Sequence, residues 1–207
     1  PAMNRFRRYE DELALETSRR ESEHRWLALR RNSIRAGHVN PESMQQAYDF
    51  HRLILELAPH YLSVSPLDVD HTELLFGFDL ECQDDHDEVV FEALLQNTPL
   101  ASLVNVPEAR ILDAQPIYGL SLSPSGDLQA YFEVKTQTKS RRGSTKNMPP
   151  EPISIFLSLR KYGPIDRVDG LTADLDTLAS HAEQLATDRL VPYMLKPIAR
   201  HITSSSA

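Results

Sequence analysis

Few residues in this chain announce a chemistry. Cys82 is the single cysteine, so no intrachain disulfide forms, and a reducing compartment, hence a cytoplasmic location, is the expectation. There are only seven glycines. Neither G-x-G-x-x-G nor G-x-x-x-x-G-K-[ST] occurs, which removes the loops that cradle nucleotide phosphates. No serine sits in a G-x-S-x-G elbow. None of the eight histidines falls in an H-x-x-x-H or H-E-x-x-H pattern, so no zinc centre is expected. No cofactor is expected either. A basic surplus is missing: the net charge is −8, which makes nucleic acid an unlikely partner. No apolar run approaches the roughly 18 residues of a membrane span, and the start lacks the apolar core of a signal peptide. Pro1-Ala2 ahead of Met3 reads as an addition before a natural start.

What is present is a core-forming composition, 41% apolar over 207 residues, and a marked segregation of charge. Residues 1–35 hold nine arginines against six acids, leaving −11 in the remainder. Residues 68–92 hold ten acids and no Lys or Arg. A basic arm and an acidic body attract each other or a partner.

Residues 4–36 contain no Pro or Gly before Gly37 and read as one long helix, with Leu13, Leu27 and Ile34 in heptad register and Arg20 at the fourth position. So polar a helix is expected to be solvent-bridging or partner-bound. Residues 1–37 are therefore expected to be a charged helical arm. Asn40-Pro41 opens a second helix over 41–58, closed by Pro59. Its stripe includes Tyr48, His51 and Leu55, which makes His51 a core-edge residue.

Strict alternation over 73–82 predicts a half-buried strand with Leu74, Phe76, Phe78, Leu80 and Cys82 on one face, and marks Cys82 as a buried structural thiol. A short helix is expected over 87–97, with Asp87 and Glu88 at its positive end. Strands come next over 115–123 and 127–138 around Pro124-Ser125-Gly126, and another over 153–162. The last helix spans 171–190. Pro192 and Pro197 interrupt the chain beyond it, and 204–207 form a frayed tail. The order from residue 73 is strand, helix, three strands, helix. That predicts an α+β domain over 38–203: a four-stranded, mainly antiparallel sheet with helices on one face, preceded by the helical arm.

Two groups carry candidate function. The first is Glu133-Val134-Lys135, an acid and an amine on one face of a strand. Such a pair holds a divalent cation while the lysine steadies charge. Residues 119–138, GLSLSPSGDLQAYFEVKTQT, resemble the central hairpin of the PD-(D/E)xK nuclease superfamily. The resemblance implies metal-dependent phosphodiester cleavage by Glu133 and Lys135, or an inactive relative. Ser121 stands where the family places its first metal-binding Asp, so Asp127 or Asp113 would substitute. A loop and strand also come next where the family has a helix. The competing reading makes Asp79, Glu81, Glu133, Lys135 and Arg160 an ion ladder on the wet face of the sheet, and that reading is preferred.

The second group is the arginine-rich arm, in which Arg19, Arg20, Trp26, Leu27, Leu29 and Arg30 form a candidate partner-binding patch. The acidic clusters Asp68-x-Asp70-His71-x-Glu73 and Asp84 to Glu88 lack EF-hand spacing and read as caps and solvated loops. The basic loop at 139–146 reads as solvated. The expected function is a non-enzymatic protein-interaction module, an adaptor, chaperone-like or assembly protein, binding a protein partner or itself through the arm. Metal-dependent nuclease chemistry is the alternative.

Overall fold

The described residues among the first 39 are not a helix. The computed structural model describes residues 3–18, 22–136, 151–165, 167 and 169–205, and within them the expected helix is replaced by four strands: β1 (Arg5–Arg8), β2 (Glu12–Glu16), β3 (His24–Arg30) and β4 (Ser33–Val39). They form an antiparallel meander in the order β1-β2-β3-β4. The physical reason is a period of two hidden among charges. Leu13 and Leu15, Leu27 and Leu29, and Ile34 and Ala36 share one face, in the registers Leu15↔Leu27, Leu13↔Leu29, Leu27↔Ala36 and Leu29↔Ile34. The Glu, Arg, Leu and Ala of this stretch favour helix only weakly, and cross-strand pairing overrides that preference. Gly37 lies inside β4 opposite Trp26, not at a helix stop.

The chain forms two compact units: residues 1–70 with 164–175, and residues 71–163 with 176–207. In the first, α1 (Met44–Leu62) lies against β4. Its N-cap is Ser43, whose side chain accepts from Gln46 N at 3.2 Å. Asn40, the expected cap, has a left-handed φ of 48° and donates its amide to the Ser22 carbonyl at 3.1 Å. Pro59 does not end the helix. It is buried inside it, and the helix continues to Leu62. Phe50 of α1 meets His38 edge-on with ring centroids 6.0 Å apart, and Arg25 sits 5.8 Å over the same ring. Helix α1 therefore packs on the face of the sheet that carries Arg25, Leu27, Ala36 and His38.

The second unit holds the expected four-stranded antiparallel sheet: β5 (His71–Leu80), β6 (Ile117–Ser121), β7 (Leu128–Lys135) and β8 (Ile153–Tyr162) in the order β5-β8-β7-β6. One face is a dry layer of Leu74, Ala130, Val134, Ile153, Ile155, Leu157 and Leu159, all but Leu74 wholly inaccessible. Each such aliphatic side chain contributes roughly 1.5–3 kcal/mol before entropy is set against it. The β6–β7 turn is closed by Gly126 N donating to Ser123 O at 3.1 Å. Gly126 has φ 78°, which only glycine adopts without strain there.

Helix α2 (His86–Leu94) is capped by Asp85, which accepts from Asp87 N. Helix α3 (Gly170–Leu185) buries Leu171, Leu175, Leu178 and Ala182, while Leu185 is half-buried. It does not stop at Pro192. The chain widens into a π-helical segment (Ala186–Leu195) and continues as α4 (Lys196–Ser205). A proline lacks the N–H that an α turn needs, and the wider turn accommodates that loss. The π segment lies against β8, and α4 packs on α2. The fold is thus α+β with two antiparallel sheets, where a single sheet and a helical arm were expected.

Candidate functional site

The first sheet has a second face, opposite the one that meets α1. Its rungs alternate large and small. Glu12 pairs Arg30, Ala14 pairs Ala28, and Glu16 pairs Trp26. Because two alanines meet between two bulky rungs, the face is indented at that level. The result is a pocket of about 310 Å³ lined by Glu12, Ala14, Glu16, His24, Trp26, Ala28, Arg30 and Arg35. Ala14 and Ala28 form its floor, 5% and 4% exposed. The rung extends to an arginine at either end: Arg7 pairs Ala14 from β1 and Arg35 pairs Ala28 from β4.

Trp26 is positioned by Gly37. A Cβ at residue 37 would lie 2.3 Å from the indole Nε1, so only glycine lets the ring cross that strand. Arg30 Nε donates to Glu12 Oε2 at 2.6 Å, and Arg7 Nε stands 3.8 Å from Glu16. Arg35 is exposed and forms no ion pair with a described residue. Thr17, fully buried, lies 3.1 Å from His24 Nδ1 and accepts from Arg25 N at 3.0 Å, fixing the end of β3 beside the pocket. Four arginines (Arg5, Arg7, Arg30, Arg35) and two glutamates share this face by register, so it attracts anions.

The expected patch is divided by the pleat. Trp26 and Arg30 line the pocket, whereas Leu27 and Leu29 point to the opposite face. Arg19 and Arg20 lie outside the described residues. Ala14, Ala28 and Arg35 were not anticipated, because a helical period scatters them around a cylinder. The motifs ELALE, HRWLALR and SIRAGHV, read with period two, bring them together.

Among the described residues no third acid groups with Glu133 to hold a metal. Glu133 and Lys135 pair along one strand at 3.3 Å, with the lysine 5.4 Å over the Phe156 ring. The cross-strand partners of Glu133 are Ile117 and Phe156, not acids. Asp127 lies six residues away, roughly 20 Å along the strand. There it is engaged by the Ser123 and Ser125 hydroxyls, whose hydrogen bonds, that of Ser123 first, hold its carboxyl below its usual value. Among the described residues no three His, Cys, Asp or Glu side chains group to hold a metal, and the undescribed stretch 137–150 contains none of these residue types.

The polar face carries cross-strand contacts of mixed kind: an ion pair, a hydrogen bond and a ring contact. Arg160 Nε lies 3.0 Å from Glu73, Ser154 donates to Asp79 at 2.6 Å, and Arg160 stacks 5.2 Å over Tyr131. The Glu133–Lys135 pair departs from the expected ladder by running along its own strand.

The acidic segment supplies caps. Asp68 accepts from Ser65 N and Oγ, both at 2.8 Å, which keeps its carboxyl ionised to lower pH than usual. Asp87 stands in the first turn of α2, as expected, and is also 1% exposed and ties three segments together. Its Oδ1 accepts from Ala114 N at 3.0 Å and from the Thr136 hydroxyl at 2.5 Å. Cys82 is buried, and burial pushes its thiol up from the usual value, away from reactivity. No helix among the described residues is long and apolar enough to cross a membrane. Comparison with family models, curated proteins and solved structures finds no match.

Proposed function

We propose that this chain is a non-enzymatic protein-interaction module, of adaptor, chaperone-like or assembly type, whose partner docks on the arginine-rich face of the first sheet. The observation that supports this reading is the indented Ala14–Ala28 rung, walled by Trp26 and ended by two arginines. An apolar floor beside an indole and guanidinium groups is a composition favoured where proteins recognise proteins. The charge of the face selects an acidic partner.

The test is recovery of partners by the full chain and by the Arg30→Glu/Arg35→Glu double variant. Point changes are used because residues 1–37 hold β1–β3 and most of β4, and deleting them would strip the cover from α1. A specific partner held by the parent and lost by the variant, with unchanged circular dichroism, supports the reading. Identical partner sets from both proteins would overturn it.

A further inference from the structure

The dimensions of the rung name a class of occupant. This inference rests on the docking face proposed above and deepens it. We infer that the face binds an extended acid–apolar–acid segment, Glu-x-Φ-x-Glu with Φ a small to medium aliphatic residue, laid across the four strands.

Arg7, Ala14, Ala28 and Arg35 occupy one line across β1, β2, β3 and β4. Three interstrand gaps of about 4.8 Å put the two arginine positions about 14 Å apart. An extended peptide advances about 3.4 Å per residue, so side chains at i and i+4 are about 14 Å apart and point the same way as i+2. Carboxylates at i and i+4 therefore reach Arg7 and Arg35 while the side chain at i+2 stands over the alanine pair.

The chemistry at each station agrees with that spacing. The centre is two methyl groups beside the indole of Trp26, which favours an aliphatic side chain. The pocket volume of about 310 Å³ is the share of roughly ten water molecules. That space accommodates an aliphatic side chain over the alanine pair. At one end Arg35 is exposed, and its planar fork fits a carboxylate with two parallel bonds. At the other end Arg7 is partly exposed, 3.8 Å from Glu16 and donating through Nη1 to the Tyr9 hydroxyl at 3.4 Å, and an incoming carboxylate would share the guanidinium with both.

Glu12 and Glu16 line the same pocket. Their charge offsets part of the arginine field, so single negative charges are accepted and dianionic phosphate is disfavoured. A nucleic-acid backbone, with a phosphate at every nucleotide, meets the same repulsion.

The experiment is fluorescence anisotropy of labelled synthetic peptides with the full chain at low and moderate salt. Gly-flanked Glu-Ser-Leu-Ser-Glu is expected to bind, and more weakly as salt rises. Lys-Ser-Leu-Ser-Lys is not expected to bind. Arg35→Glu, at an exposed position, and Ala28→Leu, which fills the indentation, are each expected to weaken binding by about tenfold or more. Circular dichroism confirms that each variant folds. If Ala28→Leu does not fold, Arg35→Glu and a Leu-to-Gly peptide carry the test.

Equal affinity for peptides in which the two glutamates are adjacent overturns the spacing while leaving the acidic docking face standing. Tighter binding of a phosphoserine peptide overturns the carboxylate assignment. Concentration-dependent self-association abolished by Arg35→Glu makes the occupant a second copy, and overturns the assignment to a separate partner. Failure of every acidic peptide, together with identical partner recovery by the double variant, removes the docking face itself.

Discussion

Acidification is expected to unfold the first unit through His51. This imidazole is enclosed by α1 and the sheet, its ring 5.6 Å from Phe50, and its Nε2 is buried without a hydrogen-bond partner. Burial, with a smaller contribution from the charge of His38, lowers its pKa from 6.5 to about 4. A histidine whose pKa is depressed by folding binds its proton more readily in the unfolded chain. Its stability contribution is therefore complete above about pH 6.5 and is lost as the pH falls toward 4. With those two values the loss is about 2 kcal/mol between pH 7 and pH 5, and about 3 kcal/mol by pH 4.

The assay is urea denaturation at a series of pH values, monitored by tryptophan emission. Trp26 is the single tryptophan and belongs to the first unit, so its signal reports that unit. In His51→Leu the buried orphan nitrogen is gone. That variant is expected to be about as stable as the parent at pH 7 and to lose about 2 kcal/mol less than the parent by pH 5. His38, Glu23 and Arg25, joined by contacts of 2.7–3.2 Å, are kept in both proteins. A pH slope in His51→Leu equal to that of the parent would refute the reasoning.

Gly37→Ala places a methyl group where the indole lies. It is expected to shift Trp26 emission and to cost about 1–3 kcal/mol of first-unit stability, and unchanged emission would contradict the packing. Asp87→Ala leaves the Ala114 amide and the Thr136 hydroxyl without their acceptor. An expected loss of about 2–4 kcal/mol is read by hydrogen exchange at Ala114, with Asp87→Asn losing less because an amide oxygen still accepts. Glu133→Gln is expected to change stability by less than about 1 kcal/mol in thermal melts, since its ion pair is solvent-exposed. The parent protein is expected to cleave no DNA or RNA with Mg²⁺ or Mn²⁺, and metal-dependent cleavage lost in Glu133→Gln would restore the nuclease reading.

Where a local pattern was strong, sequence and structure agree. The alternation from Ile153 to Leu159 and from Leu74 to Leu80 is uninterrupted by charge on the inner side: Ile153, Ile155, Leu157, Leu159 and Leu74 are buried there, and Phe76, Phe78 and Leu80 are half-buried. The turn at Ser123 to Gly126 arises from proline and glycine chemistry alone. Helix ends were read less well. Pro59 and Pro192 look like stops in one dimension, but each costs only a hydrogen bond and a steric adjustment, which packing and a wider turn absorb.

The N-terminal region shows what a sequence leaves undecided. Its charge, its single tryptophan and its arginine surplus were plain, and they drew attention to Trp26 and Arg30. Its period was not plain, because runs such as Leu13-Ala14-Leu15 and Leu27-Ala28-Leu29 suit a helix as well as a strand. Only pairing between residues far apart in the chain resolves the choice. That pairing sets Ala14 against Ala28, sends Leu27 and Leu29 to the opposite face and brings Arg7 and Arg35 to the two ends of one rung. Charge and composition reside in single residues and are legible one at a time. The indentation belongs to two residues at once, and exists only after the strands have found their register.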